Sequence, residues 1–374
     1  MTHTLTPITE ASTDLDELAR LLTPDGRRVP DRQLDPWIAD LDADALRSLY
    51  RDMAVTRRLD VEGIALQRQG QLGLWAPAQG QEAVQIGTAR ACRDDDFLFP
   101  SYRELGVQLA RGAKPADFVL AWRGELHSTY DPYELNLATP QIIIGAQTLH
   151  AAGYAMGIQR DGGDQVAVAY FGDGATSQGD VNEAMVFASS FRAPMVFVCS
   201  NNQWAISEPV TVQARFPIAG RAPGFGIPSL RIDGNDVLAC LAAMRWATDH
   251  ARSGKGPAFI EAVTYRMGPH TTSDDPKRYR SDDEVAAWRE RDPLTRFEAY
   301  LRARGDFDDA FAQQVGSDAD EFTAGMRAAV LGAVTRPPIE VLDGVYAEPH
   351  SGLIEQRERF AAYLSGFADE EAGR

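Results

Sequence analysis

The chain lacks an excess of basic charge: 37 lysine and arginine residues stand against 54 aspartate and glutamate residues, and the net charge is −17. A protein that binds nucleic acid needs a basic stripe to neutralise phosphates, so this class of partner is excluded. Long apolar runs are also missing. Residues 1–22 are acidic and have no apolar signal core, and no stretch is long enough to cross a bilayer. These features predict a cytoplasmic protein.

Cysteine is scarce as well. Cys92, Cys199 and Cys240 have apolar neighbours and no metal-ligand spacing, which predicts reduced core residues rather than a zinc site or a disulfide framework. Internal repeats are absent. With 44% hydrophobic residues among 374, the chain can bury a substantial core, either as one large α/β domain with appendages or as two domains.

Residues 165–202 form the stretch around which the chain is organised. The apolar run 166–171 is short and rich in β-forming residues, so it predicts a buried strand. The turn signal Gly172–Gly174 ends that run, and apolar residues at helical spacing follow over 181–188. A second apolar run, 195–199, predicts another strand. The order strand, helix, strand is typical of α/β folds.

A right-handed crossover would make these two strands parallel. We therefore predict an α/β fold with a mostly parallel sheet flanked by helices, in which Asp173 and Asn202 follow the carboxyl ends of strands, where open sheets bind ligands. One carboxylate, one amide oxygen and nearby carbonyls suit magnesium held against a phosphate. Gly174 and Ala175 would offer backbone N–H groups to diphosphate oxygens. The sequence predicts a magnesium–diphosphate site.

Gly172-Asp173-Gly174, followed after 26 residues by Asn201-Asn202, resembles the thiamine diphosphate motif. A Gly-Asp-Gly turn alone would be ordinary loop punctuation, but the flanking sequence resembles one family in particular. That family is the alpha subunit of the thiamine-dependent first component of 2-oxo acid dehydrogenase complexes, with pyruvate and branched-chain members. The resemblance extends from about residue 40 to about residue 365. It implies the thiamine-diphosphate-binding fold, with thiamine diphosphate and Mg²⁺ as cofactors.

The resemblance implies three metal ligands: the side chains of Asp173 and Asn202 and the backbone carbonyl of Trp204. It also implies that the loop 139–147 lies against the rings of the cofactor. Ile142 and Ile144 belong to this loop, and Ile144 matches the aliphatic residue that supports the bent cofactor. Animal branched-chain enzymes bind potassium through hydroxyl residues in this loop, whereas this chain has Gln141 and Ile142, so a potassium site is in doubt.

Tyr102 and Arg103 match a family pair that contacts the diphosphate, although a structural salt bridge is an alternative for the arginine. His270 matches a histidine that contacts the diphosphate and lies at the reaction channel. An ordinary pKa near 6.5 would let His270 exchange protons near neutrality, so it is the candidate catalytic residue; a lone histidine is more often structural. The family often has a histidine near His127, to which we assign no role.

Residues 69–73 and 79–83 also resemble the family, but their polar side chains could equally be helix caps. Thr271 and Ser273 lie in a loop that is phosphorylated on serine in animal relatives, and the sequence gives no indication that a kinase acts on them. We divide the chain into a loosely ordered arm (1–35), a diphosphate- and magnesium-binding α/β domain (36–300) and a helical carboxyl-terminal subregion (301–374) that packs on the sheet and against partner chains.

The resemblance implies oxidative decarboxylation of a 2-oxo acid, either a branched-chain one such as 2-oxoisovalerate or pyruvate. The acyl group would pass to a lipoyl group of the acyltransferase core. Thiamine enzymes also need a glutamate on the aminopyrimidine, which a separate beta subunit supplies in this family, so we expect an alpha2-beta2 heterotetramer. A transketolase-like subunit remains an alternative, although the expected arginine and histidine clusters are missing. Another alternative is a non-catalytic cofactor-binding subunit.

Overall fold

The computed structural model describes residues 17–124 and 130–371, so His127 lies outside the described part. Its strands are β1 (Phe97–Phe99), β2 (Ala167–Gly172), β3 (Met195–Asn201), β4 (Trp204–Ala205), β5 (Glu208–Pro209), β6 (Ser229–Asp233) and β7 (Ala258–Val263). The main sheet has the order β1-β2-β3-β7-β6 with every neighbouring pair parallel, while β4 and β5 form a separate antiparallel pair. The predicted α/β fold with a mostly parallel sheet is confirmed.

Helices connect and cover these strands. They are α1 (Ala43–Arg68), α2 (Glu82–Ala91), α3 (Leu105–Ala110), α4 (Leu120–Arg123), α5 (Pro132–Leu135), α6 (Ala146–Arg160), α7 (Gly179–Phe191), α8 (Val210–Gln213), α9 (Val237–His250), α10 (Asp282–Arg289), α11 (Pro293–Arg304), α12 (Asp309–Gly332) and α13 (Ser351–Glu371). Among the described residues, none of these helices is both long enough and apolar enough to span a membrane.

The two faces of the sheet carry separate apolar clusters. On one face, Phe197 and Phe259 pack with the small side chains of α6 and α7, among them Ala151 and Ala184. On the other face, Val196, Val198 and Ile260 pack with α2 and α9. Strand β3 is buried along its whole length because both of its faces are covered, as expected for a central parallel strand. The three cysteines form no disulfide.

The segment 17–35 differs from the loosely ordered arm predicted for residues 1–35. Ala19 forms a parallel bridge with Ile232, and Leu21 and Leu22 are fully buried. The backbone N–H groups of these two leucines both donate to Oδ2 of Asp236, each at 2.6 Å. Asp236 also caps α9 through Oδ1, so one carboxylate secures both the helix and this segment. The partners lie more than 200 residues away, beyond the reach of local sequence patterns.

The described chain divides after Leu331 rather than at residue 300. The first unit includes α11 and most of α12, because Val315 joins the cluster of Leu46 and Phe297, and Met326 joins that of Phe118. The second unit, Gly332–Arg374, contains α13 and a short 3₁₀ turn, and within it Arg357 pairs with Asp343. The range 301–374, predicted as one helical subregion, contains the end of α11 together with α12 and α13, and its part up to Leu331 belongs to the larger unit.

Candidate active site

Asp173 and Asn202 lie side by side at the carboxyl edge of the sheet. Strands β2 and β3 run in parallel, with Gly172 opposite Ser200, so the residues that follow them emerge at the same edge. The backbone N–H of Asn202 donates to Oδ1 of Asp173 at 3.2 Å. The predicted pairing of a carboxylate with an amide across two neighbouring strands is present in the structure.

Asp173 is only 1% exposed, and burial raises the pKa of its carboxyl to about 6. Its Oδ2 accepts one further hydrogen bond, from Nε2 of Gln213 at 3.3 Å. Within residues 17–124 and 130–371, no cluster of three or more His, Cys, Asp or Glu side chains forms a metal site. A cation at Asp173 would therefore depend on neutral oxygen ligands as well, which suits magnesium held against phosphate oxygens.

The backbone carbonyl of Trp204 accepts a hydrogen bond from Nη1 of Arg266 at 2.9 Å. Arg266 is 1% exposed, and burial lowers the pKa of its guanidinium to about 10. Its Nη2 donates to the carbonyl of Ile206 at 2.9 Å. Arg266 thus fixes the turn that carries Trp204 and brings a buried positive charge to the edge where an anion is expected.

Gly174 lies in the 3₁₀ turn Asp173–Ser177, where close packing requires glycine. A Cβ at residue 174 would come within 2.8 Å of Cβ of Ala205. Thr176 secures the turn by donating from Oγ1 to the carbonyl of Asp173 at 2.7 Å. Gly174 and Ala175 both line the cavity at the carboxyl edge, and the backbone N–H contacts predicted for them stay a prediction.

Arg103 and His270 meet although they are 167 residues apart. Nη2 of Arg103 contacts Nδ1 of His270 at 3.2 Å and donates to the backbone carbonyl of His270 at 2.9 Å. Nη1 of Arg103 donates to the carbonyl of Pro77. The guanidinium also lies 5.3 Å from the ring centroid of Tyr102. The predicted residues Tyr102, Arg103 and His270 are therefore brought together.

His270 differs from the sequence expectation in its protonation. Burial and the charges of Arg103 and Arg266 lower the pKa of its imidazole to about 4, so the ring is neutral at pH 7. Because a guanidinium can only donate, the Nδ1 that faces Arg103 must accept, which puts the ring proton on Nε2. His270 thus offers one N–H donor and carries no charge of its own.

All ten predicted site residues line one cavity of ≈ 470 Å³. They are Tyr102, Arg103, Ile142, Ile144, Asp173, Gly174, Ala175, Asn202, Trp204 and His270. Ile142 is 68% exposed and Ile144 42% exposed, which leaves apolar surface uncovered where the loop precedes α6. The structure brings every predicted residue to the same place.

The sequence missed several residues of this cavity. Gln81, Gln147, Ser200 and Arg266 all line it, and each is at most 1% exposed. Each also has a buried polar atom that finds no hydrogen-bond partner among the described residues: Gln81 Nε2, Gln147 Oε1, Ser200 Oγ and Arg266 Nε. Buried polar atoms are normally paired, so these four point to a polar ligand. The only signal in the sequence was the family motif around Gln81.

The sequence profile of the dehydrogenase E1 component family matches residues 50–326. Because this match spans more than half of the chain, the protein belongs to the dehydrogenase E1 component family. Membership implies thiamine diphosphate as the cofactor and a beta subunit as a partner. The transketolase-like alternative is thereby set aside.

The chain is similar to named alpha subunits over nearly its whole length. It is 48% identical over 355 residues to the 3-methyl-2-oxobutanoate dehydrogenase subunit alpha of Mycobacterium tuberculosis, covering 95% of this chain and 96% of the relative. It is 40% identical over 345 residues to the pyruvate dehydrogenase E1 component subunit alpha of Staphylococcus epidermidis, covering 91% and 92%. The predicted alpha subunit of a 2-oxo acid dehydrogenase is confirmed, and so is the reaction class.

Proposed function

We propose that this chain is the alpha subunit of an alpha2-beta2 enzyme that oxidatively decarboxylates a branched-chain 2-oxo acid such as 3-methyl-2-oxobutanoate (2-oxoisovalerate). The acyl group passes to the lipoyl group of an acyltransferase core. One observation carries the proposal: the ten residues predicted for metal and cofactor line a single cavity at the carboxyl edge of the sheet.

Thiamine diphosphate with Mg²⁺ fits this cavity. The carboxylate of Asp173, Oδ1 of Asn202 and the carbonyl of Trp204 are the metal ligands, since all three are hard oxygen donors in one lining. Gly174 and Ala175 contribute backbone N–H groups to the diphosphate. When bound, thiamine diphosphate supplies the nucleophile and the electron sink for decarboxylation.

The buried cations of the cavity bind and orient the anionic end of the cofactor. Arg103 and Arg266 are at most 5% exposed, and an anion between them offsets their mutual repulsion. His270 donates from Nε2 as a neutral imidazole and so orients the anion without adding charge. Ile142 and Ile144 support the rings of the cofactor and exclude water from them.

The apolar part of the cavity lining supports a branched-chain substrate. Leu74, Ala76, Trp122 and Ile206 line the same cavity as the metal-site residues. An isopropyl group has more apolar surface to bury against such a lining than the methyl group of pyruvate, and each extra methylene is worth about tenfold or more in specificity. The relative named for 3-methyl-2-oxobutanoate, at 48% identity, supports the same substrate.

The substrate is tested in the tetramer assembled with the cognate beta subunit, by measuring kcat/KM for 3-methyl-2-oxobutanoate and for pyruvate. We expect a preference of about tenfold or more for the branched substrate, and Leu74→Ala to reduce it. Val334→Ala, at a residue that is 85% exposed, is the control. A preference for pyruvate would support the second candidate, the reaction named for the Staphylococcus relatives.

The beta subunit is tested by assaying the purified chain alone with Mg²⁺ and thiamine diphosphate. Decarboxylation should be absent until the beta subunit is added, because the glutamate that activates the cofactor belongs to that subunit in the family. Robust turnover by the isolated chain would contradict the alpha2-beta2 assembly.

A further inference from the structure

Gln81 immediately precedes α2, and its side chain lines the cavity and is 1% exposed. Its backbone is firmly placed: the preceding Gly80 has a φ of 97°, and a Cβ there would come within 2.3 Å of the carbonyl of Tyr265. Thr264 also donates from Oγ1 to the carbonyl of Gly80 at 2.8 Å. Gln81 is therefore anchored to the carboxyl end of β7, beside the metal-site edge.

The contacts of Asn202 determine the orientation of two side-chain amides, its own and that of Gln81. The backbone N–H of Trp204 donates to Oδ1 of Asn202 at 3.4 Å, so the Nδ2 group of Asn202 is the end that faces Gln81. That Nδ2 donates to Oε1 of Gln81 at 3.3 Å. Nε2 of Gln81 is then left over as a donor, and it has no partner among the described residues. A buried donor thus remains in a cavity that also contains two buried arginines.

In the sequence, helix capping was an equally good role for the polar residues of 79–83, and the structure shows no such role for Gln81. Gln81 is the N-cap residue of α2, but its side chain makes no capping hydrogen bond. The neighbouring Glu82 accepts from the N–H of Gly80 at 3.0 Å instead. The oxygen of the Gln81 amide thus contacts Asn202, and its nitrogen is left for a ligand in the cavity.

We propose that Gln81 is a positioning residue for the metal and a binding residue for the diphosphate, an inference that rests on the proposed function. Its Oε1 fixes the amide of Asn202 so that Oδ1 is presented to the metal ion. Its Nε2 donates to an oxygen of the diphosphate. The two contacts use opposite ends of the same amide: the oxygen accepts from Asn202, and the NH₂ group is then left to donate to the diphosphate.

Gln85 provides a matched control on the same helix. It is also 1% exposed, but both ends of its amide are paired within the chain. Its Nε2 donates to the carbonyl of Arg103 at 3.0 Å, and its Oε1 accepts from the N–H of Gly106 at 2.7 Å. A glutamine with a purely structural role should behave like Gln85.

The experiment compares Gln81→Leu, Gln81→Glu and Gln85→Leu in the heterotetramer. Three quantities are measured: the Tm without ligands, the Kd of Mn²⁺ alone by paramagnetic resonance, and the Kd of magnesium pyrophosphate and of thiamine diphosphate by calorimetry. We expect Gln81→Leu to lower the ligand-free Tm less than Gln85→Leu does, because it removes the unpaired Nε2 and costs only the 3.3 Å hydrogen bond from Nδ2 of Asn202, whereas Gln85→Leu breaks two buried hydrogen bonds. It should weaken both Mn²⁺ and pyrophosphate binding by about tenfold.

Gln81→Glu separates the two contacts. A glutamate keeps an acceptor for Nδ2 of Asn202 but has no donor for the diphosphate, so Mn²⁺ binding should be retained while pyrophosphate binding falls by about tenfold or more. Gln85→Leu should lower the Tm, because it leaves the N–H of Gly106 unpaired in the interior.

Two outcomes would overturn the proposal. If Gln81→Leu lowers the ligand-free Tm as Gln85→Leu does and leaves both Kd values unchanged, the amide is structural. If Gln81→Glu binds pyrophosphate as tightly as the wild type, Nε2 does not contact the diphosphate. Failure of the proposed function is distinguishable, because the wild-type tetramer itself would then bind no thiamine diphosphate.

Discussion

Asp60 and Asp173 are two buried aspartates of similar electrostatic character. Each is 1% exposed, and in each case burial raises the pKa of the carboxyl to about 6. Asp60 accepts from Nε1 of Trp75 at 2.7 Å and from the N–H groups of Ala78 and Gln79 at 3.0 Å each. Among the described residues, Asp173 accepts two longer bonds from other residues, at 3.2 and 3.3 Å.

The two aspartates differ in the groups that surround the carboxylate. The carboxylate of Asp60 is surrounded by donors of its own chain and lies beside the packed cluster of Leu59 and Trp75. The carboxylate of Asp173 lines the cavity and has few donors, so it can accept a cation from outside. A raised pKa alone therefore does not identify a functional aspartate. The number and the length of the hydrogen bonds that its carboxylate accepts distinguish the two cases.

The largest effect is expected for Asp173→Ala in the proposed heterotetramer. Removal of the carboxylate from the proposed metal site should weaken Mg²⁺-dependent binding of thiamine diphosphate by about a hundredfold or more and reduce turnover correspondingly. The Tm without ligands should not fall, because a buried charge with few partners is lost. Unchanged activity and cofactor affinity would instead favour the non-catalytic cofactor-binding subunit.

Asp60→Ala should show the opposite behaviour. It leaves three N–H donors without an acceptor, two of them fully buried and that of Gln79 partly buried, so we expect a loss of about 3 kcal/mol in the free energy of unfolding. Urea titration of the assembled enzyme measures this loss. Enzyme that remains folded should bind Mg²⁺ normally, and a weakened Mg²⁺ affinity with unchanged stability would contradict the assignment of the two aspartates.

The pH dependence of Mg²⁺ binding reports on Asp173. With a pKa of about 6, its carboxyl is mostly protonated at pH 5 and mostly ionised at pH 7, so the apparent affinity should fall about tenfold between pH 7 and pH 5. His270, with its pKa lowered to about 4, stays neutral across this range and does not contribute. Calorimetric Mg²⁺ titrations at several pH values measure the effect; a flat profile would refute it.

The same pH range has a different consequence for stability. A carboxyl whose pKa is raised on folding binds its proton more tightly in the folded state, so its contribution to stability is full below pH ~4 and is lost as the pH rises through ~6. At Asp60 this trend should persist when Mg²⁺ is present. At Asp173 saturating Mg²⁺ should remove it.

The smallest effect is expected for Gln213→Ala. This substitution removes the 3.3 Å hydrogen bond to Oδ2 of Asp173 and leaves the ligand oxygens in place. A single long hydrogen bond from an amide to the carboxylate corresponds to about a fivefold loss of Mg²⁺ affinity. A loss as large as that of Asp173→Ala would show that Gln213 does more than orient the carboxylate.

The sequence by itself determined the sheet and the edge of the site. The apolar run before Gly172 and the run before Ser200 predicted β2 and β3 because both strands are buried on both faces. Once two such strands are parallel, Asp173 and Asn202 must emerge at one edge. Family motifs then indicated Arg103 and His270, which have no local pattern of their own.

Only the tertiary structure decided the protonation and the hydrogen bonding of the site and the placement of the segment around Leu21. The pKa of His270 follows from burial beside Arg103, and the segment around Leu21 is ordered by Asp236; each of these contacts joins residues more than 160 positions apart. Nε2 of Gln81, which has no partner within residues 17–124 and 130–371, is likewise left as a donor by the contact of Oε1 with Asn202. Local patterns predict elements because periodicity is local, whereas pKa shifts, unpaired donors and anchored segments depend on atoms that only the fold brings into contact.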